Sequence, residues 1–263
     1  MHPLVNIAIS AARAAGNLIM RNLERVDQLQ VTRKSTRNDF VSEVDRNAEA
    51  TIIDIVRKAY PQHAVLGEEG GQSGDNEVLW IIDPLDGTTN FLHQLPHFAV
   101  SIGIQVRGKL EHGVIYAPCT QDLYVASRGS GAQINNRRMR VSGARELDSA
   151  LIGTGVPIRA ENLDVYLPML RAVVEHTAGV RRAGSAALDL AYVAAGRLDG
   201  FWELGLKPWD IAAGLVLVQE AGGMLSEIYG GDDILKTGNV LAATPKLHPL
   251  LAQMLSEASG TVS

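Results

Sequence analysis

Apolar residues recur at three- and four-residue intervals near the start of the chain, where Leu4, Ile7, Ala8, Ala11, Ala15, Leu18 and Ile19 trace one face of an expected first helix. A second helical face, Val44, Ala48, Ile52, Ile55 and Val56, begins near Ser42, where Ser42 and Asp45 stand at a capping spacing, and ends before Pro61. The period then changes. Phe98 to Val106, Leu110 to Ala117 and Leu123 to Ser127 are β-rich and separated by Arg107-Gly108-Lys109 and Pro118-Cys119-Thr120-Gln121, which predicts an antiparallel meander. From about Leu151 strands and helices alternate, through Leu151 to Thr154, Leu163 to His176, Ala186 to Ala195, Gly200 to Leu204, Ile211 to Ala221, Met224 to Ile228, Val240 to Ala243 and Leu247 to Ser256. The order reads as an α+β lobe over residues 1–145 followed by an α/β lobe over 146–263, closely packed as one functional unit without a linker, repeat or low-complexity tract.

Charge breaks this pattern at three places. The apolar run Val78 to Ile82 predicts a buried strand that ends in Asp83-Pro84-Leu85-Asp86-Gly87-Thr88-Thr89-Asn90. Pro84 fixes one φ angle and Gly87 permits a turn, so Asp83 and Asp86 can face one point. Two carboxylates so close repel unless a cation neutralises them, and a hard divalent ion with oxygen ligands suits the pair. The amides of Gly87, Thr88 and Thr89 would open a helix, whose free N–H groups favour a phosphate. A tight Asp-Pro turn with a threonine cap is the simpler alternative. Downstream, Trp209-Asp210 follows Pro208 and precedes an apolar helical run closed by Gly222-Gly223, which puts Asp210 at a helix N-terminus as an ion ligand or as a cap. The third place is Gly67-Glu68-Glu69-Gly70-Gly71, after a short strand His63 to Leu66; its glycines predict a loop mobile enough to close a carboxylate over an ion, although paired glutamates in such loops are usually solvated.

Composition bounds the rest. Apolar residues make up 46% of 263, so disorder is not the default, and a formal net charge of −5 argues against general nucleic-acid or membrane-surface binding. The groups Arg33-Lys34 with Arg37, Arg137-Arg138 with Arg140, and Arg181-Arg182 are short enough to be solvated or subunit-contacting. Cys119 is the single cysteine, which excludes an internal disulfide. His93 and His97 stand four apart, but Pro96 would break a helix presenting both, so surface or packing roles are expected. Asn6, Ser10 and Arg13 interrupt the N-terminal apolar stretch, no window approaches a membrane span, and a cytoplasmic enzyme is the simplest placement.

Asp83-Pro84-Leu85-Asp86-Gly87-Thr88 and Trp209-Asp210-Ile211-Ala212-Ala213-Gly214, about 120 residues apart, resemble the D-P-[aliphatic]-D-G-[ST] and W-D-x-A-x-G signatures of the inositol monophosphatase family of lithium-sensitive, magnesium-dependent phosphatases. The likeness continues through Lys34, Asp39-Phe40-Val41 and Val44-Asp45, through Leu95 to Ile102, and through Arg181 to Asp189, so it covers essentially the whole chain. Gly70 departs from it, since many members carry serine or threonine there. The resemblance implies a layered αβαβα sandwich of the sugar phosphatase type and a phosphomonoesterase acting on myo-inositol monophosphate and similar polyol phosphates, with two or three Mg2+ ions. By resemblance, Glu68, Asp83 and the carbonyl of Leu85 hold the first ion, Asp83, Asp86 and Asp210 the second, and Glu68 supports a weaker third. Thr88 and Asp45 would hold the attacking water, and the amides of Gly87 and Thr88 the phosphate. Asp86, Asp210, the turn Gly184-Ser185-Ala186 and Glu203 would meet the rest of the substrate. Arg181 and Arg182, just before the Gly184 turn, are exposed-type residues of a kind enriched at interfaces, so a homodimer is expected too. One bacterial branch is associated with ribosomal RNA transcription antitermination, so transcription elongation or antitermination factors or RNA polymerase are expected partners in a second role. Fructose-1,6-bisphosphatase activity, 3′-phosphoadenosine nucleotidase activity and a mainly interacting protein stay open as alternatives.

Overall fold

The computed structural model describes residues 2–26, 31–33, 40–157, 163–231 and 233–260, leaving aside the side chains of 31–33 and 40–42. Lys34 and Asp39 of the family likeness, Arg37 of the basic group and the side chain of Ser42 fall outside it. In chain order the elements are α1 (Pro3–Leu23), β1 (Val31–Arg33), β2 (Phe40–Ser42), α2 (Glu43–Ala59), β3 (Ala64–Gly67), β4 (Gly71–Ser73), β5 (Val78–Asp86), α3 (Thr88–Leu92), β6 (Ala99–Val106), β7 (Lys109–Ala117), β8 (Asp122–Ser127), β9 (Gly131–Ile134) and β10 (Arg137–Met139). There follow β11 (Leu151–Thr154), α4 (Leu163–His176), β12 (Gly179–Arg181), α5 (Ala186–Ala194), β13 (Gly200–Glu203), α6 (Pro208–Glu220), β14 (Met224–Glu227), α7 (Ile234–Thr237), β15 (Val240–Ala243) and α8 (Leu247–Ala258).

Eight strands form one sheet in the order β10-β9-β8-β7-β6-β5-β3-β4, antiparallel except where β3 runs parallel to β5. The expected meander is its centre, and it runs on into the hairpin β9–β10. Five strands form a second sheet, β12-β11-β13-β15-β14. Here the structure departs from the alternating pattern: β12, β11 and β13 are parallel, but β15 runs antiparallel to both of its neighbours. Alternation of strands and helices constrains a connection's length, not the strand's final direction, and a short link such as that holding α7 lets β15 enter reversed.

The helices fill the spaces between and outside the sheets. α1 and α2 pack together on one face of the large sheet, α5 and α6 lie between the two sheets, and α4 and α8 cover the outer face of the small one. That is the αβαβα sandwich. α1 is long and apolar enough to cross a membrane by length and composition, contrary to the reading that no window approaches a span. Its apolar side is already used, since Val5, Ala8, Ala11, Ala12, Ala15 and Ile19 are fully buried against the protein core. The middle layer sits unusually close to the large sheet. A Cβ on Gly103 of β6 would lie 2.6 Å from the Ala212 side chain, and one on Gly113 of β7 would lie 3.0 Å from the Ala213 carbonyl carbon. α6 therefore rests on bare strand backbone, and its first turn reaches the end of β5.

Candidate active site

β5 delivers two of the expected carboxylates. The strand does not stop at Ile82 as expected but continues through Pro84 to Asp86, because Pro84 falls where the ladder with β6 is interrupted and needs no N–H. Asp83 pairs with Ser101 and Asp86 with Ala99, three steps on one strand against two on the other. Residues three apart on a regular strand point to opposite faces; one extra residue restores the same face. Asp83 is buried, and its Oδ1 accepts the Leu85 N–H at 3.0 Å. The Oδ2 of Asp86 accepts from the Ser185 hydroxyl at 2.6 Å and the Ala187 N–H at 2.7 Å.

Gly87 has φ 99° and opens α3. A Cβ there would meet the His97 carbonyl oxygen at 3.0 Å, so conformation and space both select glycine. The next residue, Thr88, places its hydroxyl 2.8 Å from Asp45 Oδ1 and 3.1 Å from the Leu85 carbonyl. One proton serves one acceptor best, and the carboxylate of fully buried Asp45 is the stronger, which leaves the Thr88 lone pairs for another donor.

Asp210 lies in the first turn of α6 and does cap it, its Oδ2 accepting the Lys207 N–H at 2.7 Å. Capping is not its whole environment. Burial first, then Asp86, Glu68 and Glu203, push its pKa well above the carboxylate range, with the Lys207 amide opposing. Asp83 is raised likewise, by burial and then by Glu68, Asp86 and Asp210. Glu68, Asp83, Asp86 and Asp210 thus form one electrostatic cluster drawn from β5, α6 and the β3–β4 turn. Among the described residues no three His, Cys, Asp or Glu side chains close on one point as a finished ion shell would. The set still fits a hard divalent cation: its donors are all oxygens, and its shared strain is like charge under burial, which such an ion relieves.

The β3–β4 turn, whose glycines predict mobility, is tied at three successive amides. The Glu68 N–H donates to the Ile82 carbonyl at 3.1 Å, and the amides of Glu69 and Gly70 donate to the carboxylate of Glu49 at 2.9 and 2.7 Å. Glu49, a buried residue of α2, had no place in the sequence reading.

Gly184, Ser185 and Ala186 lead into α5, with Ser185 as its N-cap, and the hydroxyl of Ser185 joins this turn to Asp86. Asn90, within the motif but without an expected role, donates to the carbonyls of His97 at 2.7 Å and Ala183 at 2.9 Å, and so ties α3 to the same turn. Glu203 ends β13. Its pKa is pushed up to about 8 by burial, then by Asp189 and Asp86, against Arg182. Asp189 is the other acid that the sequence reading did not single out; it is buried, and its Oδ1 has no hydrogen-bond partner among the described residues. His93 is exposed and His97 packs edge-on against Tyr192, which leaves both outside the acidic cluster.

Burial raises Asp86 from 3.8 to about 6 and Glu203 from 4.5 to about 8. Both bind protons more tightly folded than unfolded, so their stabilising contribution is complete below pH 3.8 and 4.5 and is lost as pH rises through about 6 and about 8. The melting temperature in chelator is therefore expected to fall from about pH 5 to about pH 8, and magnesium should flatten that slope. A melting temperature that rises across the interval in chelator contradicts this electrostatic account.

The inositol monophosphatase family model matches residues 1–259. The chain is 55% identical to the protein named Nus factor SuhB from Pseudomonas aeruginosa over 258 residues, 95% of each chain. Its structure is similar to the crystal structure of the extragenic suppressor protein suhB from Bartonella henselae, with a TM-score of 0.95 at 45% identity over 97% of this chain and 99% of that one. It is also similar to the inositol monophosphatase from Anabaena (Nostoc) sp. PCC 7120, with a TM-score of 0.87 at 40% identity over 97% and 95% of the two chains.

Proposed function

This chain belongs to the inositol monophosphatase family, and from that premise we propose that it is a magnesium-dependent phosphatase of the cytoplasm that hydrolyses myo-inositol monophosphate and related small polyol phosphates. The observation that carries the reading is the acidic set Glu68, Asp83, Asp86 and Asp210, gathered about the buried Asp83, with the Thr88–Asp45 pair beside it. Glu68, Asp83 and the Leu85 carbonyl would hold one magnesium, Asp83, Asp86 and Asp210 a second, and Glu68 a weaker third. Magnesium supplies, when bound, the charge that makes water more acidic and a departing alkoxide more stable. The chain's own residues do the positioning. Asp45 takes the Thr88 proton in a hydrogen bond and so turns the threonine lone pairs toward the attacking water, while the amides of Gly87 and Thr88 hold phosphate oxygens. Asp86, Asp210, the Gly184–Ala186 turn and Glu203 meet the alcohol portion. Lithium would replace the second ion and inhibit uncompetitively.

Turnover of myo-inositol 1-phosphate, fructose 1,6-bisphosphate and a 3′-phosphoadenosine nucleotide, each with magnesium, tests the reading; preference for either of the last two overturns the substrate. Glu203 supplies a sharper test. Glu203→Ala should reduce kcat/KM for inositol monophosphate by roughly ten- to a hundred-fold, about 1.5 to 3 kcal/mol for a lost buried hydroxyl contact, and spare glycerol 2-phosphate. Equal losses on both would place Glu203 in ion binding or folding instead.

A second reading is favoured by one finding, the Nus factor name carried by relatives at half identity or more. In it the protein, as a homodimer, also binds transcription antitermination factors or RNA polymerase. The exposed Arg181 and Arg182 beside the Gly184 turn suit such a contact.

A further inference from the structure

We propose that Glu49 is the positioning residue of the ion-binding turn and acts through Glu68; the inference rests on the ligand set given under Proposed function. Glu49 lies on α2 with only 4% of its surface exposed. Its two oxygens are used separately, Oε2 accepting the Glu69 N–H at 2.9 Å and Oε1 the Gly70 N–H at 2.7 Å. Successive backbone amides aimed at one carboxylate form a small anion nest, and bonds of this kind are about twice as strong as neutral ones.

The glycines around Glu68 fit the same purpose. A Cβ on Gly70 would stand 2.9 Å from Glu49 Oε1, and one on Gly67 would stand 2.6 Å from the carboxylate carbon. The hollow of the turn is thus filled by a carboxylate supplied from another element, so its amides are satisfied without a hydroxyl side chain at position 70. Glu68 sits inside the span so held, with its own amide fixed to Ile82. Asp45, one helical turn before Glu49 on the same buried side of α2, holds Thr88. One helix therefore sets both the expected water-holding pair and the turn bearing a metal ligand.

Magnesium binding to the full chain is measured by calorimetry without substrate, beside the magnesium dependence of turnover, for wild type, Glu49→Gln, Glu49→Ala and Glu68→Gln. Glu49→Ala should weaken magnesium binding by roughly ten- to a hundred-fold and raise the half-saturating magnesium equally, with turnover at saturation changed only by a few fold. Glu49→Gln keeps one acceptor oxygen and should fall between. If Glu68→Gln weakens binding while both Glu49 variants bind as wild type, the positioning role is overturned and the ligand set stands. If Glu68→Gln binds magnesium as wild type, the ligand set fails and this inference with it. Should Glu49→Ala be insoluble, Glu49→Gln decides: a lower melting temperature with unchanged magnesium affinity would make Glu49 a fold residue only.

Discussion

Replacing Asp83 by asparagine is expected to lower phosphatase turnover by several orders of magnitude while raising, or leaving unchanged, the melting temperature in chelator. The two effects have one origin. Asp83 is buried, and Glu68, Asp86 and Asp210 add to the cost of its charge, so asparagine removes a repulsive member from the cluster. The bond from the Leu85 N–H survives, because an amide oxygen accepts as the carboxylate does. What the variant loses is the anionic oxygen proposed to be shared between two ions. Opposite signs on activity and stability separate this outcome from a folding defect, in which both fall. A soluble Asp83→Asn protein with near-wild-type turnover at saturating magnesium would end the shared-ligand assignment. The same protein should keep whatever partner it binds, since its surface is untouched.

Thr88→Ala should cost about 10²- to 10⁴-fold in turnover, the range for a group that manages the proton of a reacting water, with magnesium affinity held. Thr88→Ser restores the hydroxyl at the same distance from Asp45 and should recover most of the loss. The alanine variant also leaves buried Asp45 without this donor, so its melting temperature should drop by an amount equivalent to about 1 to 3 kcal/mol. Kinetics across the three proteins at matched magnesium decide it; alanine performing like wild type removes the threonine from the chemistry.

Periodicity located most long elements. Leu163–His176, Leu151–Thr154 and Val240–Ala243 fall where the sequence puts them. The hairpin of β9 and β10 is not legible in the sequence, since Gly131–Ile134 and Arg137–Met139 show little alternation; its trace is Asn135-Asn136, both left-handed at φ 48° and 63°, as a tight strand-reversing turn requires. The site divides similarly. Asp83, Asp86 and Thr88 are adjacent in sequence and announce themselves together. Glu49 and Asn90 take their roles from amides and carbonyls 20 and 93 residues away, which no local spacing encodes. For Glu49 a weak signal existed: an acid one turn after Asp45 on an otherwise apolar helix side.

The contact of α6 with Gly103 and Gly113 sets the tolerance of the whole centre. Asp210 and Asp83 are far apart in the sequence, yet α6 lies backbone on backbone against β6 and β7, and β6 pairs directly with the strand that carries Asp83. The distance of α6 from those two strands is governed by the thickness of a backbone, a quantity that rotamer changes elsewhere in the core leave fixed. A side-chain change elsewhere in the core should therefore leave the seat of α6, and with it the height of Asp210 above the sheet, unaltered.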